Sequence, residues 1–483
     1  MTLNKQKTVR ELTISSVKWN TIGQLGYQGF SIFVSILLAR LLSPAEFGLV
    51  AMLFIFSEIA NAFVNSGLSA ALIQRKSISS ADCSTIFYFN IGVSFLFYCI
   101  LFLLAPVIAR FYNEPQLVLL IKYYNLAFLI HSFSLIQATL LIKELNYKAQ
   151  NIIQLIGVFF SGIVAIALAY LGFGVYSLIG QSLTFALTTG ILYWLYSNWK
   201  PSLVFNKASF LEMYGFGIKV FFVVLLDKVF NAVDNLIIGK IFNANQLGIY
   251  NRAKTTKDIP INNITNILTS ITYPVFSKIE TIAELRKIHN QYLSLISYIT
   301  MPIMVGLAIT AKPFISVVFS DKWLPSVPYL QLFCLFAFII PLNSIMVNTI
   351  LSRGKSSKFL KLEVYKKLIL LLSMSIGIIW GIKTFLCGLC IGYYISLFST
   401  IHFVVRILEA PFYSIIKILI PSIFLSIFMG LFVFLMTYFP WKSNIIQLLS
   451  ESLVGIFIYF LLSLFTKQKE LIFIFQLIKN KFR

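Results

Sequence analysis

The sequence predicts an all-α integral membrane protein of about 14 transmembrane helices: two six-helix lobes related as parallel repeats, followed by two extra C-terminal helices. Three observations carry this. Of the 483 residues, 58% are hydrophobic, 16% aromatic and 12% charged, and the mean hydropathy is +0.86, a balance foreign to soluble globules. A stretch also recurs two hundred residues apart: LARLLSPAEFGLV at 38–50 and IGKIFNANQLGIY at 238–250 share a cationic end (Arg40, Lys240), a turn and a glycine (Gly48, Gly248). Finally, Lys and Arg are unevenly divided between alternate loops.

Windows of roughly 20 apolar residues, enough to cross ~30 Å of hydrocarbon, fall at about residues 19–41, 47–68, 86–110, 117–141, 151–171, 175–196, 214–239, 253–275, 290–310, 327–350, 366–382, 385–406, 414–438 and 445–465. The intervals between them are too short for a separate catalytic or receptor domain. Six windows per repeat is an even number, so both halves enter the membrane in the same sense. With the N-terminus inside, cytoplasmic segments hold 26 of the 39 Lys and Arg, the opposite side holds 11, and Lys219 and Lys228 lie within a span. Both termini are therefore expected in the cytoplasm. The net charge of +22 is spread through the loops as a topology signal, which argues against nucleic-acid binding. The resulting organisation is a basic amphipathic lead-in (1–18), an N-lobe of spans 1–6 (19–199), a C-lobe of spans 7–12 (200–412), spans 13 and 14 (413–466), and a basic amphipathic tail on the cytoplasmic face (467–483).

Polarity inside the spans points to the working surface. The first span carries Asn20, Gln24, Gln28, Ser31 and Ser35, spaced 4, 4, 3 and 4, on one helical stripe. The second continues it with Glu58, Asn61 and Asn65. Such groups face protein or water, because an unsatisfied one costs several kcal/mol in lipid. Hydrogen bonding between helices would explain the amides; a charged Glu58 favours a wet cavity. Spans three to six are greasier. The seventh span has Asp227, Asn231 and Asp234 on one face, with Lys219 and Lys228 nearby, and the eighth has Arg252, Lys254, Asp258, Asn262 and Asn266. At the repeat offset Asp258 falls on Glu58. Seven residues apart, Asp227 and Asp234 differ by about 20° in azimuth and about 10 Å in height, an arrangement that suits a cation passed along a path. Isolated carboxylates at that depth call for a Lys, an Arg or a cation, so coupling to H+ or Na+ and structural ion pairing are both open readings. No cofactor is expected. Cys387 and Cys390 form a lone C-x-x-C without a second pair, and His131 and His402 lie in spans, where a titrating role is open although helix packing is the commoner use of histidine.

RLLSPAEFG after the first span, SGLSAALIQ at 66–74, APVIARFYNEP at 105–115, QLGIYNRA at 246–253 and YPVFSK at 273–278 together resemble the bacterial polysaccharide flippases of the multidrug/oligosaccharidyl-lipid/polysaccharide (MOP) exporter superfamily, of the O-antigen, colanic-acid and teichuronic-acid type. The resemblance covers the whole chain. It implies two lobes with spans 1, 2, 7 and 8 around a central cavity that moves an undecaprenyl-diphosphate-linked oligosaccharide across the bacterial inner membrane by alternating access. Polysaccharide assembly proteins are then possible partners beside membrane lipids. On that reading Lys219, Arg252 and Lys254 would hold the diphosphate and Asn20, Gln24, Gln28, Asn61, Asn65, Asn231, Asn262 and Asn266 the sugars, while Glu58, Asp227, Asp234 and Asp258 would couple ions or pair charges. The rivals are a cation-coupled drug exporter of the same superfamily, against which the cationic set argues, and a membrane glycan polymerase or glycosyltransferase, against which the lack of a large outer loop argues.

Overall fold

The repeated turn owes its shape to helix capping. In the computed structural model, Ser43 and Glu46 form a reciprocal cap: the Ser43 backbone N–H donates to Glu46 Oε2 at 2.6 Å and the Glu46 N–H to Ser43 Oγ at 3.4 Å. Pro44 fills the first helical position, where its missing N–H leaves nothing unsatisfied. In the second copy the Gln246 N–H donates to Asn243 Oδ1 at 2.9 Å, so one device starts both helices.

The structure describes residues 9–472 other than 66 and 76, and all of them that fold regularly are helical. Residues 1–8 of the lead-in and 473–483 of the tail lie outside the described residues. The order is α1 (Val9–Leu41), α2 (Pro44–Asn65), α3 (Leu68–Gln74), α4 (Ser80–Tyr112), α5 (Leu117–Tyr124), α6 (Leu126–Ser132), α7 (Leu135–Lys143), α8 (Tyr147–Tyr170), α9 (Tyr176–Tyr196), α10 (Lys207–Ile241) and α11 (Ala244–Lys278). Then come α12 (Ile282–Ile309), α13 (Ala311–Phe319), a 3-10 turn (Asp321–Ser326), α14 (Val327–Ala337), α15 (Ile339–Ser352), α16 (Ser356–Ile378), α17 (Ile382–Leu408), α18 (Phe412–Met436) and α19 (Asn444–Phe465). The protein is thus an all-α, multi-pass membrane protein. Among the described residues ten helices are long and apolar enough to cross a membrane, or eleven if a pair bent by 45° counts as one. The expected count of fourteen is not reached by apolarity alone. The helices α10, α11 and α16 are long enough, at 35, 35 and 23 residues, but interleave charges with apolar residues.

Two expected spans are broken. Residues 117–141 divide into α5, α6 and α7; at the second break the backbone N–H groups of Phe133 and Ser134 donate only three residues back, to the carbonyls of Ile130 at 3.2 Å and His131 at 3.0 Å, and side chains at both breaks add bonds to nearby carbonyls. Asn125 Nδ2 donates to the Ile121 carbonyl at 2.8 Å, Ser132 Oγ to that of Leu129 at 2.7 Å and Ser134 Oγ to that of His131 at 3.1 Å. Residues 327–350 divide at Phe338 into α14 and α15.

The chain separates into two compact units, residues 1–248 and 249–483. In the first, α1 packs on α8, α8 on α9, and α10 on α2, α3 and α4. Leu68, Leu72, Ile86, Phe87, Ile136 and Met213 close one end of its core. Arg75 ties that end together, meeting Asp82 at 3.2 Å and Glu212 at 2.6 Å, while Lys143 Nζ donates to the Leu72 carbonyl at 2.7 Å and neutralises the C-terminus of α3. At the first turns of α2 and α11, two glycines allow backbone to touch backbone. A Cβ at Gly48 would lie 1.6 Å from the Ala244 carbonyl oxygen, and one at Gly248 would lie 1.8 Å from that of Pro44.

In the second unit, α12 packs on α14, α15 and α18, and α16 on α17. Arg286 caps α17, its Nε and Nη2 donating to the carbonyls of Leu408 and Glu409 at 2.7 Å each. Buried His289 meets Thr349 Oγ1 through Nδ1 at 2.8 Å. A carboxylate that sequence reading passed over, Glu451 of α19, is fully buried and accepts from Gln447 Nε2 at 2.8 Å.

Candidate functional site

In the first unit α1, α2, α5, α6, α8 and α9 line an open cavity of ≈ 370 Å³. The α1 stripe leads into it: Gln24 is exposed, Gln28 half-buried, and Ser31, with Tyr27 one turn before, lines the wall. From α2 come Ser57 and Asn61, from the broken span Tyr124, Asn125 and His131, and from α8 and α9 Ser161, Gln181 and Ser182. Ser57 Oγ donates to Asn125 Oδ1 at 2.9 Å, which fixes the amide at the α5–α6 break. The break therefore has a consequence: it turns a side chain that satisfies the backbone into part of a polar wall. Tyr27 and Phe185 supply ring faces, their centroids 6.3 Å apart and tilted by 56°. Among the described residues, no Lys, Arg, Asp or Glu lines this cavity.

The charges expected from the sequence lie elsewhere in each unit. Glu58 is half-buried and forms an ion pair with Lys228, which bridges α2 and α10. Asp227 is exposed and accepts from Asn231 Nδ2 at 3.1 Å, whereas Asp234, about two turns along, is 6% exposed with Oδ1 accepting from the Asn235 backbone N–H at 2.9 Å. The two acids on α10 thus sit in different surroundings. The side chains of Asn20, Asn65 and Lys219 lie outside the described residues.

In the second unit Arg252 is 6% exposed, its guanidinium 4.7 Å from the ring centre of Phe319 and 4.6 Å from that of Trp323. That stack is a cation–π environment that a planar, weakly hydrated cation fits best. Asp258 pairs with its neighbour Lys257 at 2.6 Å; Lys254 is half-buried, and Asn262 and Asn266 are exposed. The pseudo-symmetric acids Glu58 and Asp258 therefore share one property, a Lys partner in their own unit. No group of three or more His, Cys, Asp or Glu suited to a metal occurs among the described residues.

Of the residues lining this cavity, sequence reading singled out Ser31 and Asn61 as part of the polar stripes but passed over Ser57, Tyr124, Asn125, Ser161 and Gln181. Each is a single polar residue in a greasy segment, without the periodic company that marked α1 and α10. Their cost in lipid is the signal that was available.

A multi-pass helical bundle with a polar interior cavity and ion-paired charges inside its helices is the architecture of a membrane transporter. Residues 37–328 match the model of the polysaccharide biosynthesis protein family. The chain belongs to that family. It is similar to the lipopolysaccharide biosynthesis protein WzxC of Escherichia coli (strain K12), 26% identical over 77% of this chain and 76% of that one. It is similar also to the teichuronic acid biosynthesis protein TuaB of Bacillus subtilis (strain 168), 27% identical over 72% and 73%. Among solved structures it shares the fold of the lipid II flippase MurJ in its inward closed conformation, with a TM-score of 0.75 and 15% identity over 93% of this chain and 98% of that chain. An inward-facing multidrug resistance MATE transporter of the MOP superfamily follows at 0.61, with 15% identity over 82% and 96%.

Proposed function

We propose that the protein is a transporter, not an enzyme, that moves a lipid-linked oligosaccharide from the inner to the outer leaflet of a bacterial inner membrane for export of a surface polysaccharide. The observation that carries this reading is a polar cavity, with no Lys, Arg, Asp or Glu among the described residues of its wall, inside a membrane-spanning unit of a chain whose family is polysaccharide biosynthesis. A glycan joined through a diphosphate to a polyprenyl chain cannot cross hydrocarbon, since its hydroxyls and charges would lose water unpaired. The protein replaces that water. Amides and hydroxyls such as Gln28, Asn61, Asn231, Asn262 and Asn266 serve the sugars. Lys219, Arg252 and Lys254 serve the diphosphate, and the lipid chain stays in the bilayer. Alternating access completes the passage, both termini stay cytoplasmic, and proteins of polysaccharide assembly act on either side of the step. Asp234, buried on α10, is the carboxylate best suited to exchange a proton or sodium ion, with Asp227, exposed two turns before it, as a relay. Glu58 and Asp258 are held by Lys228 and Lys257.

The test is flipping of a fluorescent polyprenyl-diphosphate oligosaccharide in vesicles holding the purified protein, with and without imposed proton and sodium gradients. Protein-dependent flipping is expected, with a gradient response lost in Asp234→Asn. No flipping under any gradient would overturn the reading, and a response kept in Asp234→Asn would remove the coupling role.

A further inference from the structure

Two corresponding turns of the repeat satisfy their polar groups differently. LLIKELNYK at 140–148, between α7 and α8, corresponds to ILSRGKSSK at 350–358, between α15 and α16. In the first copy Lys143 Nζ donates to the Leu72 carbonyl at 2.7 Å, and Asn146 Oδ1 accepts from the Ala149 N–H at 3.2 Å, capping α8. The second copy has neither device. The counterparts of the α3 carbonyls lie inside α11, which runs on to Lys278. Arg353 stands in the place of Lys143, and its Nε and Nη2 are buried without a hydrogen-bond partner among the described residues. Lys355 is the N-cap of α16 and makes no side-chain bond to its first turn, since a lysine has no acceptor to offer.

Both differences call for an anion. Guanidinium N–H groups that have lost water without gaining an acceptor are destabilising, more so than neutral donors. A helix start without a cap presents free N–H groups and the positive end of its dipole. Gly354 has a φ of +68°, and a Cβ added there would meet nothing within 4 Å, so the turn is open to a ligand. An arginine at 353 suits a fork onto two oxygens, which a phosphate group supplies.

The outer face of α16 indicates what carries that phosphate. At about 100° per residue, Lys358, Lys361, Tyr365, Leu368 and Leu372 fall within an arc of about 80°, and all of them are exposed. Followed away from the turn, the face passes from lysines through a tyrosine to leucines, which is the order of a bilayer from headgroup to acyl chain. The charge on the inner side is matched separately, buried Lys366 meeting Glu363 at 2.5 Å. A soluble phosphate would use the turn and leave the leucines without a role, whereas a phospholipid uses both.

We propose that the α15–α16 turn and the outer face of α16 bind one anionic phospholipid, its phosphate held by Arg353 with Lys355 and Lys358, and an acyl chain laid along Tyr365, Leu368 and Leu372. The site lies wholly within the second unit. It goes beyond the flippase reading, because its ligand is a resident lipid of the bilayer and not the cargo.

The experiment is native mass spectrometry of the full chain with phosphatidylglycerol or phosphatidylcholine added, which counts bound lipids and gives their affinities. Wild type should hold one phosphatidylglycerol about tenfold more tightly than phosphatidylcholine. One cation near a headgroup is worth about fivefold in affinity. Arg353→Gln and Lys358→Gln should therefore each weaken phosphatidylglycerol about fivefold or more, whereas Lys442→Gln, at an exposed lysine between α18 and α19, should leave it unchanged. A second readout needs no variant: in nanodiscs, amide hydrogen exchange at 356–361 of the wild type should slow when phosphatidylglycerol replaces phosphatidylcholine. The proposal is overturned if the two lipids bind alike, if folded Arg353→Gln keeps wild-type affinity, or if exchange at 356–361 ignores the headgroup. Competition separates the sources of phosphate. Inorganic pyrophosphate and undecaprenyl diphosphate should fail to displace the lipid; displacement by the first would make this a free-anion site, and by the second a cargo site, and either would overturn the proposal. Binding is read without transport, so a protein that holds phosphatidylglycerol through Arg353 but flips nothing would remove the flippase and keep this site.

Discussion

Gly48→Ala tests a close backbone approach in the first unit. The new Cβ would lie 1.6 Å from the Ala244 carbonyl oxygen, whereas ordinary contact begins at 3.4 Å. The difference, 3.4 − 1.6, asks the first turns of α2 and α11 to separate by nearly 2 Å. A flexible side chain could rotate out of the way, but a helix backbone held by its own cap cannot. Overpacking costs about 1–3 kcal/mol, and two rigid partners put this case near 3. At about 1.4 kcal/mol per factor of ten, the arrangement with these turns in contact should lose roughly a hundredfold in population. The control is Gly29→Ala, at an exposed position of α1 with nothing within 4 Å of the new atom, which should be neutral or stabilising by about 0.5–1 kcal/mol through helix propensity. Thermal loss of the monodisperse peak in size-exclusion chromatography reads both variants, and the vesicle assay reads transport. Equal transition temperatures and equal transport for Gly48→Ala and Gly29→Ala would refute the close approach and the reasoning built on it.

Lys228→Ala should destabilise the first unit by about 1–3 kcal/mol, between the values for surface and buried pairs, because it leaves Glu58 half-buried without its cation. The double variant Glu58→Gln/Lys228→Ala should recover part of that loss, as a double-mutant cycle on thermal stability would show. Arg252→Lys keeps the charge but gives up the planar stack between Phe319 and Trp323, so a loss of about 1–2 kcal/mol in the melting of the purified protein is expected; wild-type melting would mean the rings do not hold the guanidinium. Arg286→Ala frees the two carbonyls at the end of α17 and should raise hydrogen exchange there, with a smaller change in α18.

The helical class, the repeated capped turn and the acids of α10 were legible because each leaves a periodic or composite trace in the sequence. The turn at Ser43–Pro44 and its copy at Asn243–Ala244 stood out by their fixed offset, and the structure adds that both are helix caps. Glu58 stood out as a carboxylate in a greasy window, although its partner Lys228 is 170 residues away and could not be chosen over Lys219 without the fold. The cavity was half legible. Its α1 edge follows a stripe at helical spacing, but Asn125 stands at a break between two helices, and no periodic pattern in the sequence announces that break. Arg252 was legible as a charge on a polar span, but the two rings that flank it, Phe319 and Trp323, lie about seventy residues further on and only the folded chain brings them near.

The Glu58–Lys228 pair also bears on how the protein is made. A helix entering the bilayer is judged largely on its own residues, and at mid-span each Asp or Lys counts against insertion by about 2.5–3.5 kcal/mol, while a Leu, Ile, Phe or Val returns only about 0.3–0.6. Asp227, Lys228 and Asp234 together make α10 a poor candidate when it leaves the ribosome. The helix that offers Lys228 a counter-charge, α2, has been synthesised about 150 residues earlier and is already in the membrane, so the early helices form the solvent in which the later, polar one is accepted. Chain order is in that sense part of the design, and a permuted chain delivering α10 before α2 would present the same charges to bare lipid.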